Sequence, residues 1–377
     1  MGDTRSALLP LALALATSCG GAGGAERTEY RYAAPVETGD GWRTASVSDV
    51  GVDEARVADA VQGILDGRYR QVHGLLVVRH KRLVVEEYFA GNDRQGAYVR
   101  YERDTIHDLA SVTKSITSIM TGQAIAQGLM ADEQVRALSY LPEYAHLVTP
   151  EKESITIGHL LTMTSGWQWS ESTEWVAAND MYQFNVQPDP LAYLIGKPMA
   201  AEPGTSWVYN GGAVTLLGKV IERASGVNLE TFSERHLFAP LGISQFWWPY
   251  MRPDLIAAHG DLRLRPRDMA KIGQTMLDEG VWGETRVLPA EWVRRSRALA
   301  VPFTGGQGHD GYGYLWWLRT YWGAAGGPTS AYSAEGWGGQ RIIVLPTLDA
   351  VIVFTGGNYW TSEPVDMIME SHIVPAF

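Results

Sequence analysis

A single cysteine, Cys19, stands in 377 residues, so no internal disulfide can form. Basic runs are missing, and the formal net charge of −11 argues against a nucleic-acid partner. None of the nine histidines falls in HExxH or HxH spacing, so no metal site and no cofactor is expected. The Gly-x-Ser-x-Gly elbow of a Ser-His-Asp hydrolase is absent. Gly306-Gln307-Gly308-His309-Asp310-Gly311 has GxGxxG spacing, but "YGYLWW" follows it and reads as a strand, which excludes a dinucleotide loop on context. After the N-terminus no apolar run is long enough to cross a bilayer.

What is present begins with that N-terminus. "ALLPLALALATSC" is an apolar run of signal-peptide length, and Ala16-Thr17-Ser18-Cys19 resembles a bacterial lipobox. The expectation is a signal peptide over 1–19 with Cys19 as a candidate lipidation site. Plain signal-peptidase cleavage nearby is the alternative. The protein is then secreted, periplasmic or lipid-anchored at a bacterial cell envelope, with membrane attachment through Cys19. "GGAGGAE" reads as a tether, and residues 20–45 as tether and irregular chain.

Over the whole chain, 45% hydrophobic and 19% charged residues suit a globular protein with a sizeable core. "VDEARVADAVQGILDG" has helical spacing, acids in its first turn and Gly67 as a stop. "HGLLVVRHKRLVVEEYFAG" reads as a β-hairpin around a basic turn. "HDLASVTKSITSIM" opens a buried helix that runs to about Gly128. "ITIGHLLTMTSG", "GGAVTLLGKVIERASG" and "RPRDMAKIGQTMLDEG" are helical, and make 130–300 an inserted helical region. "YGYLWWLRTY", "QRIIVLP" and "DAVIVFTGG" are strands, and "SEPVDMIMESHIV" is a last helix with Ser362 as N-cap. The order predicts one α/β sandwich over 46–377, with an antiparallel sheet flanked by helices.

Ser111 and Lys114 share one helix face at i, i+3. A serine hydroxyl needs a base to become a nucleophile, and a buried lysine can serve as one. SxxK also arises by chance, with the lysine on a half-exposed surface. Tyr209 sits in a Pro/Gly-flanked loop before a helix, where a phenolate beside cations can act as base, or where a tyrosine simply packs. Trp337-Gly338-Gly339 stands at the start of the strand that runs into "QRIIVLP", and two glycines there allow close backbone approach to a ligand or a plain turn.

These pieces come in one order, with "PGTSWVYNGGAVTLLG", "LRPRDMAKIGQTMLDEG" and "GWGGQRIIVLPTLDAVIVFTGG" around them. Over roughly residues 50–375 the chain resembles the serine β-lactamase and penicillin-binding superfamily. It is most similar to the class C-like branch with the family VIII carboxylesterases and 6-aminohexanoate-dimer hydrolases. The resemblance implies a β-lactamase-like fold, Ser111 as acylated nucleophile, Lys114 and Tyr209 as its proton acceptors, and an oxyanion hole from the Ser111 and Gln340 amides. Trp337, Gly338 and Gly339 take the K-T-G position. In the Y-x-N motif Gly211 stands where Asn is usual, with Asn210 as a candidate substitute in substrate binding. Trp337 replaces the cation that greets a β-lactam carboxylate, unless Arg341 restores one.

The expected function is a serine hydrolase acting through an acyl-enzyme on small esters, with amides as a second class. A β-lactamase or D-Ala-D-Ala carboxypeptidase is the first alternative, a non-catalytic binding lipoprotein the second. The loop 166–190, with Trp167, Trp169, Trp175 and Tyr182, shapes an acyl pocket or packs.

Overall fold

The computed structural model describes residues 29–172, 176–304, 308–324 and 327–377. Cys19, Trp175 and the Gly306-Gln307 pair lie outside the described residues.

Nine strands form the main sheet: β1 (Arg43–Thr44), β2 (Val72–Arg79), β3 (Arg82–Tyr88), β4 (Val301–Pro302), β5 (Gly311–Tyr312), β6 (Trp317–Ala324), β7 (Gly327–Gly336), β8 (Gln340–Leu345) and β9 (Ala350–Gly356). Their order is β1-β3-β2-β9-β8-β7-β6-β5-β4. All neighbours are antiparallel except the short edge strand β1, which runs parallel to β3, so the sheet is mixed by that one pair. N-terminal and C-terminal segments meet at β2 and β9, where Val77 faces Ile352.

The central strands are apolar at nearly every position because both faces are covered. Side chains alternate between faces along a strand. Leu76, Val78, Ile342, Val344, Val351 and Val353 therefore enter one core, with helix α2 (Val112–Ala126), α3 (Gly211–Ser225) and α4 (Pro266–Leu277). Leu75, Val77, Ile343, Leu345, Ile352 and Phe354 enter the other, under α1 (Glu54–Leu65) and the C-terminal helical turns from Val365.

α1 starts where Asp53 accepts the Ala55 and Arg56 amides, and the hairpin turn uses His80 and Lys81 at positive φ. The last helix begins at Val365 after Pro364, not at Ser362, so the expected serine cap is not formed. β7 was hidden in "GPTSAYSAEG", whose small and polar residues carry no clear period. The core of the 130–300 stretch is α3, but α4 lies directly on the main sheet: a Cβ on Gly273 would meet Val351 Cγ1 at 2.5 Å.

Candidate active site

Ser111 stands at the N-terminal end of α2, its side chain free of any capping bond, and the chain reaches it through a strained step. Ala110 has φ +44°, a left-handed conformation for a residue with a Cβ. The Ala110 amide is held by Asp108 Oδ1 at 2.8 Å, and Thr113 Oγ1 donates to the Ala110 carbonyl at 2.7 Å. Behind this loop His107 Nδ1 lies 2.9 Å from the Asp108 carbonyl and His107 Nε2 lies 2.9 Å from His73 Nδ1. Tyr101 stacks on His73 at 4.1 Å. Burial, and then the neighbouring His107, push His73 down to about 3; His107 is pushed down to about 4, chiefly by burial.

Lys114 is buried at 1% exposure. Its Nζ donates to Ser111 Oγ at 2.8 Å and to the His259 carbonyl at 2.8 Å. A buried ammonium or amine with two oxygen partners is satisfied. His259 is fixed by Thr215 of α3, whose Oγ1 lies 2.7 Å from Nδ1, and burial followed by the Lys114 charge pushes that imidazole down to about 3. The Tyr209 ring closes the other side, with its centroid 4.8 Å from Lys114 Nζ. Trp317 of β6 stacks on Tyr209 at 5.9 Å and 24°. The Tyr209 loop is tied down by Met163, which accepts the Val208 amide at 2.9 Å.

Ser111, Lys114, Tyr209, Trp337 and Gly338 line one cleft of about 1020 Å³, with Arg94, Glu171, Trp360 and Glu363. A second hollow, of about 1130 Å³, lies between Ala33–Val36 and Tyr98–Asp104, and its lining holds no serine or lysine. Among the described residues no group of His, Cys, Asp and Glu could hold a metal ion.

Three sequence expectations change here. Trp337-Gly338-Gly339 forms the turn between β7 and β8, not the start of a strand. Gly338 and Gly339 have φ of +91° and +92°, so the turn itself requires them. Gln340 does not reach the cleft. It is fully buried, and its side chain bonds the Gly356 carbonyl and amide at 2.7 and 3.1 Å. The backbone next to Ser111 belongs to Gly336: a Cβ there would lie 2.3 Å from the Leu109 carbonyl oxygen and 3.1 Å from the Ser111 amide nitrogen. Asn210 is also out of the cleft. It is buried, and its Oδ1 caps α3 by accepting the Ala213 amide at 2.9 Å.

Arg341 does not supply a free cation. Buried on β8, it pairs with Glu335 at 3.3 Å and with Glu363, and donates to the Gly336 and Gln340 carbonyls at 3.2 and 3.0 Å. Arg94, which the sequence reading missed, lies over the Trp337 ring at 5.0 Å and pairs with Asp261 at 2.8 Å. Its position in the turn between two short strands carries no pattern. Trp167 and Trp169 are buried packing residues at 1% and 7% exposure, whereas Trp360 stands 71% exposed at the rim, edge-on to Trp337 at 4.9 Å.

The ML-236A carboxylate methylbutanoyltransferase of Penicillium citrinum is 32% identical over 200 residues, 48% of this chain and 46% of that protein. The lovastatin esterase of Penicillium rubens is 30% identical over 194 residues, 47% of this chain and 48% of that protein. The chain thus spans under half the length of these relatives. A family VIII carboxylesterase structure superposes with TM-score 0.65 at 17% identity, over 85% of this chain and 96% of that one, which shows the shared fold. The Beta-lactamase family model matches residues 57–367, and the chain belongs to that family.

Proposed function

We propose that the protein is a serine hydrolase that forms an acyl-enzyme on Ser111 and cleaves small esters, with amides as a second class. The observation that carries this is the 2.8 Å contact of Lys114 Nζ with Ser111 Oγ, beside Tyr209, in a cleft lined by the Trp337 indole and with its arginines tied up in ion pairs. Lys114 as the neutral amine, with the Tyr209 phenol beside it to share the load, accepts the one Ser111 proton as Oγ attacks the carbonyl carbon. That proton then passes to the departing alcohol or amine, and water cleaves the ester left on Ser111. The Ser111 amide is one oxyanion donor. The Trp337 amide, next to Gly336, is the second in place of Gln340. The esterase and acyltransferase names of the relatives support acyl transfer. A secreted location with lipidation at Cys19 belongs to the same proposal. An intact-mass measurement that finds an unmodified N-terminus without Cys19 overturns lipidation.

The test gives the purified protein and its Ser111→Ala variant 4-nitrophenyl butyrate, a chromogenic cephalosporin and a D-Ala-D-Ala peptide. Ester turnover that the variant loses is expected. Efficient cephalosporin or peptide turnover with negligible ester cleavage sinks the ester reading in favour of a β-lactamase or peptidase. No turnover and no phosphonate adduct favours a binding protein.

A further inference from the structure

Two non-glycine residues beside the Ser111–Lys114 pair hold left-handed backbone, which persists only where the surroundings impose it. Ala110, at φ +44°, precedes Ser111. Asp261, at φ +64°, comes two residues after His259, whose carbonyl receives Lys114 Nζ. The Leu109 amide donates to the Leu262 carbonyl at 2.9 Å, so the two bends lie side by side. One side chain serves both. Arg94 Nη1 lies 2.8 Å from Asp261 Oδ1 and 3.7 Å from Asp108 Oδ2, while Asp108 Oδ1 accepts the Ala110 amide at 2.8 Å. The same guanidinium lies over the Trp337 ring at 5.0 Å.

Arg94 belongs to neither bend. It stands in the link between two short strands, Ala90–Asn92 and Tyr98–Arg100. Three parts of the cleft therefore meet on it: the loop that carries Ser111, the segment that receives Lys114, and the Trp337 wall. Without the guanidinium, Asp108 and Asp261 are two carboxylates that have lost the cation between them. Burial, and then Asp261, already push the Asp108 carboxyl up, and like charges so placed repel until one takes a proton.

We infer that Arg94 is a positioning residue: by bridging Asp108 and Asp261 against the Trp337 indole, it keeps the Ser111 loop and the Lys114 acceptor segment in their working relation. The word working rests on the proposed hydrolase reading, but the clamp itself is a property of the folded chain.

The experiment compares the full chain with Arg94→Met and Arg94→Lys on 4-nitrophenyl butyrate, near pH 8 and near pH 5.5. Near pH 8, Arg94→Met should lower kcat about tenfold or more, the scale of a misplaced catalytic group, with KM changed by less than about threefold. Acid supplies a readout that lost packing would not move. Near pH 5.5 one freed carboxylate takes up a proton and the repulsion ends, so the ratio of variant to wild-type kcat should rise about threefold or more. The other groups facing the trio are His107, His259, Tyr101, Tyr359, the Lys114 amine and Arg263 opposite Asp108. Burial holds His107 and His259 down at about 4 and 3, and Tyr101 up at about 12 with Tyr359 also raised, so these four keep their charge in that window. The wild type read at each pH controls for Lys114. Arg94→Lys keeps a cation between the acids and should give a flat ratio.

A kcat within about twofold of wild type in Arg94→Met, or an equal loss at both pH values, overturns the inference. A ratio that rises as steeply in Arg94→Lys overturns it too. If Arg94→Met does not fold, Arg94→Gln, which can still donate to one acid, takes its place under the same criteria. Hydrogen exchange read by mass spectrometry needs no turnover: residues 107–112 and 257–263 should exchange faster in the neutral variant, and unchanged exchange there overturns the clamp. If wild-type ester turnover is absent while that exchange rises, the hydrolase reading falls and the clamp survives.

Discussion

The Arg341 guanidinium and the Glu335 carboxylate lie 3.3 Å apart, directly opposite each other on β8 and β7, in the wall of the cleft that holds Ser111. Burial alone raises a carboxyl, but Arg341 and then His309 hold Glu335 well below the usual carboxylate range. The pair belongs to the wall on which Gly336 and Trp337 sit, so its first role is to hold that wall.

Arg341→Met is expected to cost about 3–5 kcal/mol, because it leaves the buried Glu335 uncompensated. Urea unfolding measures it. A loss below about 1 kcal/mol, the scale of an exposed pair, would show that water reaches Glu335.

Lys114→Met should lower kcat on a 4-nitrophenyl ester by about 10²–10⁴, the range for a lost general base. Lys114→Arg should not restore it, since a guanidinium cannot accept the Ser111 proton. Stopped-flow and steady-state rates decide. Near-normal kcat in Lys114→Met would assign the proton to Tyr209 alone.

Asn210→Ala separates a cap from a substrate contact. Loss of the cap on α3 should cost about 1 kcal/mol of stability. The ester KM should hold, because the side chain bonds Ala213 and does not line the cleft. A raised KM at unchanged stability would return Asn210 to the binding site.

Acid should weaken the fold through its buried imidazoles. His73, His107 and His259 are pushed down to about 3, 4 and 3, so protonation favours the unfolded chain. Their contribution is fully present above the unfolded value of about 6.5 and is lost as pH falls from there toward the folded values. Each imidazole removes about 1.4 kcal/mol per pH unit in that window. His73→Phe should keep the stack on Tyr101 and give a shallower fall in unfolding free energy between about pH 7 and pH 5. An unchanged slope would mean that His73 does not take up a proton on unfolding.

How much of this was legible in the sequence varies with physical cause. The strands β2, β8 and β9 were readable because two-sided burial demands unbroken Val, Ile and Leu. β7 was not, since its buried positions include Thr329 and Ser333 beside small alanines, which leaves no unbroken apolar run to read. Ser111, Lys114 and Tyr209 carried the motif's spacing, and the fold brings them together. Gln340 was misplaced because the length of the turn after β7, a purely local matter, decides which amide faces Ser111. Arg94 and Glu171 had no pattern to betray them: each reaches the cleft from an irregular segment by tertiary folding alone.

The meeting of β2 with β9 also sets a timetable. The serine and lysine are made early, at the start of α2, but the wall opposite them comes from β7, and β2, already paired with β3, gains its second neighbour only when Ala350–Gly356 has been added. Such far-apart partners close slowly. A chain still emerging from its ribosome therefore carries Ser111 and Lys114 before it carries the β7 backbone that will face them.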